Sequence, residues 1–285
     1  MSNISIERIQ ICCSSALEAA EVYSIVFGLM PCWAGNYQLT EAGGVPIEQG
    51  KSVWFALDNT TIELFDTSAR DSNQGLSSIV IENGEEPLSD SVYGSLSERQ
   101  TVYVSDSGAD QHQTSFQSAI DDDNHYRYSL INRSTLVTSV VTSADSVASI
   151  AAAQRQINGV DHIVLYASNF ERVDARFGAK GIGIRLALDQ HVATWGGRML
   201  FYRPSGLTLE VIIADSNDNR PKRANKADFF WGIAYSVDNL ESVHKRLSEL
   251  GVALSDVREG RKPGTQVCTL KSHSIGVPTL LVGST

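Results

Sequence analysis

The C-terminal half of the chain repeats itself at a spacing of 70 residues, and the two copies, Val160–Ile212 and Phe230–Val282, align without a gap. Identical residues occur along the whole alignment: Ile163/Ile233, Asn169/Asn239, Glu171/Glu241, Val173/Val243, Arg176/Arg246, Gly181/Gly251 and Gly206/Gly276. A repeat of this length is one supersecondary unit that buries its apolar face against a neighbouring copy. Both copies must therefore have the same order of elements and fold as a pair.

Each copy begins with a strand and a capped helix. The apolar runs HIVLYA and GIAYSV are typical of buried strands. Asn169 and Asn239 follow, where a side-chain oxygen can cap the first free amides of a helix. Apolar residues then recur at helical spacing, and we expect Gly181 and Gly251 to end the two helices.

Three further strands complete each copy as a βαβββ module. The segments IGIRLAL and VALSDV are predicted as the second strands. The segments RMLFYRPSGLTLEVII and CTLKSHSIGVPTLLV are predicted as hairpins that turn at Gly206 and near Gly276.

The N-terminal half contains two weaker copies of the module. The strand IERIQICC, the helix SSALEAAEVYSIVFGLM and the hairpin SVWFALDNTTIELFD form a first module over Ser5–Phe65, and a second runs from Leu76 to Thr142. We predict an α+β protein of four βαβββ modules paired into two domains. The predicted N-terminal domain spans residues 1–142, a linker spans 143–158, and the C-terminal domain spans 159–285.

Composition and charge restrict the partners and the compartment. Hydrophobic residues make up 42% and charged residues 20% of the chain, as in a globular protein. The net charge of −10 argues against nucleic acid, and no apolar run reaches the roughly 18 residues of a membrane span. The absence of a signal-peptide pattern and of CxxC spacing among four cysteines favours reduced thiols in the cytoplasm.

The repeated βαβββ module, with DHIVL on a first strand and LEVI on a last strand, resembles the vicinal oxygen chelate superfamily. The C-terminal stretch that begins WGIAYSVDNLESVHKRL also resembles a group of bacterial glyoxalase-like proteins. That superfamily includes glyoxalase I, the bleomycin and fosfomycin resistance proteins, methylmalonyl-CoA epimerase and the extradiol dioxygenases. The resemblance covers nearly the whole chain and is best in the last two modules. It implies that each pair of modules forms a mixed sheet curled into a cup around a ligand site.

The resemblance also implies metal ligands on the first and last strands of paired modules. In the C-terminal pair these positions hold His162 and Glu210 in one module, but Gly232 and Leu280 in the other. Two protein ligands rarely hold a divalent ion such as Fe, Zn or Mn tightly, since metal sites generally have at least three. We therefore expect an incomplete metal site, with His162 and Glu210 as its only ligands if a metal binds at all.

The N-terminal pair of modules has fewer ligands still. Arg8 occupies the histidine position of the first module and Glu63 its glutamate position. In the second module Ser78 is the first-strand residue, and the predicted last strand STLVTSVV has no acid. Since an arginine repels a metal ion, we expect an Arg8–Glu63 salt bridge and a structural role for this domain, or at most a lid or an interface.

His162 and Glu210 are the candidate catalytic residues. A neutral imidazole beside a buried carboxylate is suited to moving a proton next to a carbonyl. Two alternatives remain open. The pair is either a remnant of a lost metal site, in which each residue only satisfies the other, or a metal site that substrate or water completes.

Other residues are candidates for ligand binding. They are Arg198, Tyr202, Tyr235, Trp195, Arg261 and Lys262. The aromatic members are expected to line the cavity, although aromatic residues at strand spacing are also typical of a plain core. The basic loop GRKPGT, which contains Arg261 and Lys262, is expected at the cup entrance, where it can hold a carboxylate or a phosphate. A further basic cluster, Arg220–Lys226, is interpreted as a solvated turn.

The predicted function is that of a glyoxalase-like or dioxygenase-like protein that binds or converts a small organic molecule in the C-terminal cup. The leading possibility is a lyase or isomerase. The alternative is a metal-free protein that sequesters its ligand, as bleomycin resistance proteins do. Extradiol dioxygenase chemistry is disfavoured because Gly232 and Leu280 stand where ligands are needed. The sequence is compatible with a monomer or a homodimer.

Overall fold

A computed structural model describes residues 4–41, 46–67, 74–83, 97–105, 111–120, 127–132, 156–194, 196–214 and 228–285. These residues form an eight-stranded barrel in the N-terminal half and an eight-stranded sheet in the C-terminal half, with three helices. The predicted α+β class is confirmed. Trp195, Arg220–Lys226, the segment STLVTSVV and most of the predicted linker lie outside the described residues.

The N-terminal half forms a closed barrel. Its strands are β1 (Ser5–Cys12), β2 (Trp33–Glu41), β3 (Pro46–Ala56), β4 (Thr61–Phe65), β5 (Gly75–Asn83), β6 (Ser97–Ser105), β7 (Gln111–Ile120) and β8 (Arg127–Asn132), in the order β1-β4-β3-β2-β6-β7-β8-β5. The first strands of the two modules, β1 and β5, pair at one seam, and the second strands, β2 and β6, pair at the other. Because both seams are paired, this sheet has no free edge.

The last strand of the second module lies earlier in the chain than predicted. β8 pairs in parallel with β5, as β4 pairs with β1 in the first module. The strand β8 therefore takes the last-strand position. Its sequence RYSLIN also has no acid.

The C-terminal half has the same strand order but does not close. Its strands are β9 (Ile157–Ala167), β10 (Arg185–Val192), β11 (Gly197–Arg203), β12 (Thr208–Ala214), β13 (Phe229–Val237), β14 (Arg258–Glu259), β15 (Thr265–Leu270) and β16 (Thr279–Ser284), in the order β10-β11-β12-β9-β13-β16-β15-β14. The edge strands β10 and β14 correspond to β2 and β6 of the barrel. β14 has only two residues, so this seam stays open.

The short β14 corrects a prediction from the sequence. The segment VALSDV was expected to be the second strand of the last module. It forms one isolated bridge, between Leu254 and Leu270, and the strand begins only at Arg258. The prediction of a full strand here was wrong, and the open seam is the consequence.

The three helices are α1 (Ala16–Phe27), α2 (Phe170–Phe177) and α3 (Leu240–Glu249). Asn169 and Asn239 cap α2 and α3 as predicted, through hydrogen bonds from backbone amides three residues on. Gly251 follows α3 with a φ of 81°, where a glycine is favoured. The prediction for Gly181 was wrong, because α2 ends at Phe177 and Gly178 is its C-cap. None of these described helices is long and apolar enough to cross a membrane.

Strand pairing confirms the 70-residue register of the repeat. Ile163 in β9 lies opposite its own repeat mate, Ile233 in β13. The pairing shifts register at Trp231 in β13 and at Asp161 and Asn158 in β9, and Asp161 and Trp231 are also repeat mates. A local twofold axis therefore relates the third and fourth modules.

One hydrophobic core extends across both halves of the chain. Phe27 of α1 packs edge-on against Tyr235 of β13, with the ring centroids 5.0 Å apart. Arg246 of α3 donates hydrogen bonds to the carbonyl oxygens of Ile25 and Val26, at 2.7 and 2.8 Å. These carbonyls belong to the last turn of α1, which has no intrahelical donors for them. The helix of the first module is thus fixed against the fourth.

A second link between the halves is Asn59, in the turn between β3 and β4. Its Nδ2 donates hydrogen bonds to the carbonyl oxygens of Val160 and Gly206, both at 2.7 Å. Its Oδ1 accepts a hydrogen bond from the amide of Val160 at 3.0 Å. The amide group is therefore engaged on both sides.

Replacing Asn59 by alanine is expected to lower the free energy of unfolding by about 2–4 kcal/mol, because three hydrogen bonds are lost and their backbone partners are left unpaired. Urea denaturation measures this change. Asn158→Ala is the comparison variant, since Asn158 Nδ2 donates a hydrogen bond to Asp238 at the surface, and a change within about 1 kcal/mol is expected. Equal effects of the two substitutions would contradict the assigned role of Asn59.

Candidate functional site

His162 and Glu210 lie on the face of the C-terminal sheet that is turned away from the helices. Ile163 and Leu165 of β9 point into the shared core, so His162 points to the opposite face. In β12, Leu209 and Val211 belong to the core and Glu210 lies between them. The parallel pairing of β9 and β12 brings His162 Nε2 within 3.9 Å of Glu210 Oε2. We call this face the C-terminal cup.

Asp161 completes a group of three side chains that the sequence did not reveal. Because Asp161 is a bulge residue of β9, it lies on the same face as its neighbour His162. Its Oδ2 lies 2.9 Å from His162 Nδ1. This hydrogen bond is the main reason that the pKa of Asp161 is below its ordinary value. The only signal in the sequence is that Glu7 precedes Arg8 in the same way in the first module.

Burial raises the pKa of Glu210 above the ordinary value of a carboxyl group, although His162 and Arg261 oppose this effect by favouring its charged form. The side chain of Glu210 is 15% exposed, that of His162 is 21% exposed and that of Asp161 is 42% exposed. The three residues are therefore partly desolvated, yet a small molecule can reach them from the open face.

A basic loop covers one side of the cup. Arg261 and Lys262 lie in the turn between β14 and β15, and Arg261 Nη1 lies 3.7 Å from the sulfur of Met199 in β11. The positive charge of Arg261 favours the ionised form of Glu210, and the positive charge of Lys262 favours the ionised form of Asp161. The structure thus brings these two sequence candidates together with His162 and Glu210. The positive charge of Arg203 in β11 also favours the ionised form of Asp161. Arg203 was not among the residues predicted from the sequence.

Three other candidates lie on the opposite face of the sheet. Tyr202 and Tyr235 are fully buried in the shared core, where the hydroxyl of Tyr202 donates a hydrogen bond to Asp174 of α2. Arg198 Cζ lies 3.9 Å from the ring centroid of Phe170, also in α2, and Arg198 pairs with Asp189. The structure does not bring these residues to His162, because even-numbered residues of β11 and odd-numbered residues at the centre of β13 face the helices.

The residues of the C-terminal cup do not fit a divalent metal ion. Within the described parts of the chain, no group of three or more His, Cys, Asp or Glu side chains is arranged to hold one. The repeat mates of His162 and Glu210 are Gly232 and Leu280. A Cβ at residue 232 would lie 2.7 Å from the carbonyl oxygen of Pro278, so a histidine there requires a backbone shift. Arg261 further supplies positive charge next to Glu210.

The equivalent place in the N-terminal barrel contains an arginine in an ionic network. The predicted Arg8–Glu63 salt bridge is present, with Arg8 Nη1 3.3 Å from Glu63 Oε2. Arg8 Nε also donates a hydrogen bond to Glu7 Oε2 at 3.0 Å. The hydroxyl of Tyr103 accepts a hydrogen bond from Arg8 and donates one to Glu63. The Arg8 guanidinium also lies 4.4 Å from the ring centroid of Trp54.

The barrel network and the C-terminal cup occupy the same positions of the module. Strand pairing places Arg8 opposite Thr61 and Gln10 opposite Glu63, as it places His162 opposite Thr208 and Val164 opposite Glu210. The barrel site is closed, with Arg8 2% and Glu63 1% exposed. The C-terminal site is open to solvent, so it is the candidate functional site.

Comparisons with known proteins agree with this architecture. Residues 161–269 match the family model described as Glyoxalase/Bleomycin resistance protein/Dioxygenase superfamily. A mutant of 4-hydroxymandelate synthase from Streptomyces coelicolor is similar over 100% of this chain and 93% of its own, with 13% identity and a TM-score of 0.61. At this identity the similarity establishes a shared fold, and it extends over both halves.

Shorter structures match about half of the chain. Methylmalonyl-CoA epimerase from Mycobacterium tuberculosis has 18% identity over 46% of this chain and 90% of its own, with a TM-score of 0.37. Methylmalonyl-CoA epimerase from Streptomyces coelicolor, in complex with 2-nitronate-propionyl-CoA, gives 18% identity, 45% and 95% coverage, and a TM-score of 0.36. A comparison with curated protein sequences gives no match.

Proposed function

We propose that this chain, whose residues 161–269 match the model of the glyoxalase, bleomycin resistance protein and dioxygenase superfamily, moves a proton next to the carbonyl group of a small anionic molecule. The reaction class is that of an isomerase or lyase, and the site is the C-terminal cup. The observation that carries the proposal is the position of Glu210. Its Oε2 lies 3.9 Å from Nε2 of His162, which pairs with Asp161; burial raises the pKa of this carboxyl group, and the positive charge of Arg261 opposes that effect.

Glu210 is the proposed proton acceptor. A carboxyl group with a raised pKa is a stronger base than an ordinary carboxylate and is better matched to work near neutral pH. The substrate C–H bond breaks and its proton moves to Glu210; the electron pair of that bond forms a C=C bond, and the π pair of the carbonyl group moves onto the oxygen to give an enolate. Return of the proton to carbon regenerates the carbonyl group, so the cycle needs no oxidant and no further reactant.

His162 and Asp161 are proposed to stabilise the negative charge that develops on the carbonyl oxygen. The hydrogen bond between His162 Nδ1 and Asp161 orients the ring so that Nε2 faces Glu210. In the proposed arrangement Nδ1–H donates to Asp161, and Nε2–H donates to the carbonyl oxygen of the substrate. Arg261 and Lys262 are proposed to hold the anionic group of the substrate, as charged donors at the edge of the cup.

A second candidate function is sequestration of the same class of ligand without chemistry. It is favoured by Gly232 and Leu280, which add no polar group at the other two positions of the module pair. The two functions differ in one measurable property. Only proton transfer replaces a C–H hydrogen of the ligand with hydrogen from the solvent.

Deuterium exchange separates the two functions. 2-Oxobutanoate and acetoacetate are incubated with the protein in D₂O, and loss of the C–H signal next to the carbonyl is followed by NMR. We expect exchange faster than in buffer alone. Arg261→Ala is expected to raise KM roughly tenfold or more with a smaller effect on kcat, because it removes a contact that is made before and during the reaction. Lys245→Ala, on the exposed face of α3, is the control and should change neither constant.

Exchange at the rate of buffer alone, for a ligand that the protein binds by calorimetry, would overturn the proton-transfer proposal. It would favour sequestration. Unchanged KM in Arg261→Ala would remove this residue from the anion site.

A further inference from the structure

Three aromatic side chains form a cluster that the proposed proton transfer does not use. The rings of Tyr166 and Phe229 are stacked, with centroids 5.5 Å apart and planes inclined by 15°. The ring of Trp231 stands edge-on to Tyr166, with centroids 5.6 Å apart and an interplanar angle of 89°. Tyr166 and Phe229 are opposite each other in the pairing of β9 with β13.

The cluster lies on the same face of the sheet as His162. Along β9, His162, Val164 and Tyr166 alternate with Ile163 and Leu165, which point into the core. Trp231 and Phe229 contact Tyr166 and therefore share its face. None of the three aromatic residues belongs to either hydrophobic core of the described residues.

Trp231 is 38% exposed, which is unusual for so large an apolar side chain. It is the bulge residue of β13 and the repeat mate of Asp161. The local twofold axis therefore places an indole at one end of the central strand pair and a carboxylate at the other. The third module supplies the acid–base group and Tyr166, and the fourth supplies Phe229, Trp231 and the basic loop.

The distance from the cluster to the acid–base group matches a small ligand. Trp231 lies between Phe230, opposite Leu165, and Gly232, opposite Val164. It is therefore offset from His162 by two to three residues along β9, or about 7–10 Å at the rise of a β-strand. A molecule with one or two rings and a short acidic side chain spans this distance.

We infer that Tyr166, Phe229 and Trp231 form a subsite for a planar aromatic group, and that the ligands of the C-terminal cup are small aryl carboxylates. The inference rests on the proposed function for the place of the carboxylate, beside Arg261 and Lys262. The aromatic cluster binds the ring by stacked or edge-to-face contact. Arg261 contacts Met199 of β11, and β12 and β9, which carry Glu210 and His162, lie between β11 and the β13 strand of Trp231. The ligand is therefore held at both ends.

Matched ligands test the aromatic preference. Benzoate and cyclohexanecarboxylate have the same charge and similar size, but only benzoate has a planar π system. Calorimetric titration of the full chain is expected to show that benzoate binds about two- to tenfold more tightly. 2-Naphthoate is expected to bind more tightly still, because its second ring covers more of Trp231.

Substitutions at Trp231 test where the preference arises. Trp231→Ala is expected to weaken 2-naphthoate binding roughly tenfold and to abolish the preference for benzoate. Trp231→Phe is expected to retain most of the affinity for 2-naphthoate and most of the preference for benzoate, because it keeps an aromatic ring at this position. Leu250→Ala removes an exposed apolar side chain at the end of α3 and should leave both ligands unaffected. Circular dichroism and thermal unfolding show whether each variant is folded.

Equal binding of benzoate and cyclohexanecarboxylate by the folded wild type would overturn the aromatic subsite, as would unchanged binding in folded Trp231→Ala. The outcome is independent of the proton-transfer test. Trp231-dependent binding of aryl carboxylates without deuterium exchange supports the subsite while the proposed chemistry fails. Exchange of 2-oxobutanoate with no aromatic preference supports the chemistry while the subsite fails.

Discussion

Replacing Arg8 by methionine is expected to lower the free energy of unfolding by about 3–5 kcal/mol, the cost of leaving a buried charge without its partner. Methionine keeps the length of the apolar side chain but removes the guanidinium, which contacts Glu7 and Glu63 inside the barrel. Burial already raises the pKa of Glu7, even with Arg8 beside it. Without Arg8, both carboxyl groups must be protonated or hydrated, and either change costs stability.

Denaturation in guanidinium chloride near neutral pH measures the effect. The double variant Arg8→Met with Glu63→Gln is expected to recover part of the loss, because it removes one of the two uncompensated charges. Arg185→Met on the exposed strand β10 is the matched control, with an expected change within about 0.5 kcal/mol. A loss below about 1 kcal/mol in Arg8→Met would show that the barrel does not depend on this cation.

Replacing Glu210 by glutamine is expected to slow the proposed deuterium exchange by about 10²–10⁴-fold, the usual contribution of a positioned acid–base group. The substitution keeps the shape of the side chain and removes its ability to accept the proton. Ligand binding should be retained, because Arg261 and Lys262 remain in place. A folded Glu210→Gln variant with the exchange rate of the wild type would exclude Glu210 as the proton acceptor.

The same substitution is expected to stabilise the protein at neutral pH. The pKa of Glu210 is raised in the folded state, so the folded protein binds more protons than the unfolded chain above the ordinary carboxyl pKa. Ionisation of Glu210 therefore lowers the free energy of unfolding. The loss begins as the pH rises above the ordinary carboxyl pKa and is complete above the raised pKa of the folded state. Glutamine does not ionise, and this loss is absent from the variant.

Thermal unfolding at a series of pH values checks this sign. The melting temperature of Glu210→Gln should approach that of the wild type in acid and exceed it at neutral pH. Glu21→Gln, at an exposed position of α1, is the control and should show no such divergence. A wild type that is more stable than the variant at neutral pH would contradict the raised pKa. Residues at functional sites often lower the stability of the folded state, and Glu210 is expected to do so at neutral pH.

The repeat explains why much of the fold was predictable. Two copies that align without a gap must place equivalent residues at equivalent positions, and the opposition of Ile163 and Ile233 confirms this register. The same register identified His162 and Glu210, and it also identified Gly232 and Leu280 as their mates. The Arg8–Glu63 salt bridge was predictable for the same reason, because an arginine and an acid occupied two positions known to be close.

The assignment of β11 and β13 side chains to a face was less predictable. Both faces of the C-terminal sheet carry large apolar residues, so alternation along a strand does not reveal which face is the cup. Tyr202 and Tyr235 were expected in the cavity and lie in the core, while Tyr166 and Trp231 lie on the cup face. A bulge adds one residue and changes the face of those beyond it, and no sequence pattern marked the bulges at Asp161 and Trp231.

The sequence by itself determined the module, its register and the pair His162 and Glu210, because these depend on local patterns and on their repetition. Only the tertiary structure decided which of the two equivalent sites is open. In the barrel, β2 and β6 pair and enclose Arg8 in a complete ionic network. In the C-terminal half, the two-residue β14 leaves the seam unpaired, so Asp161, His162 and Glu210 remain accessible. Closure depends on hydrogen bonds between residues far apart in the chain, and their formation cannot be read from either strand alone.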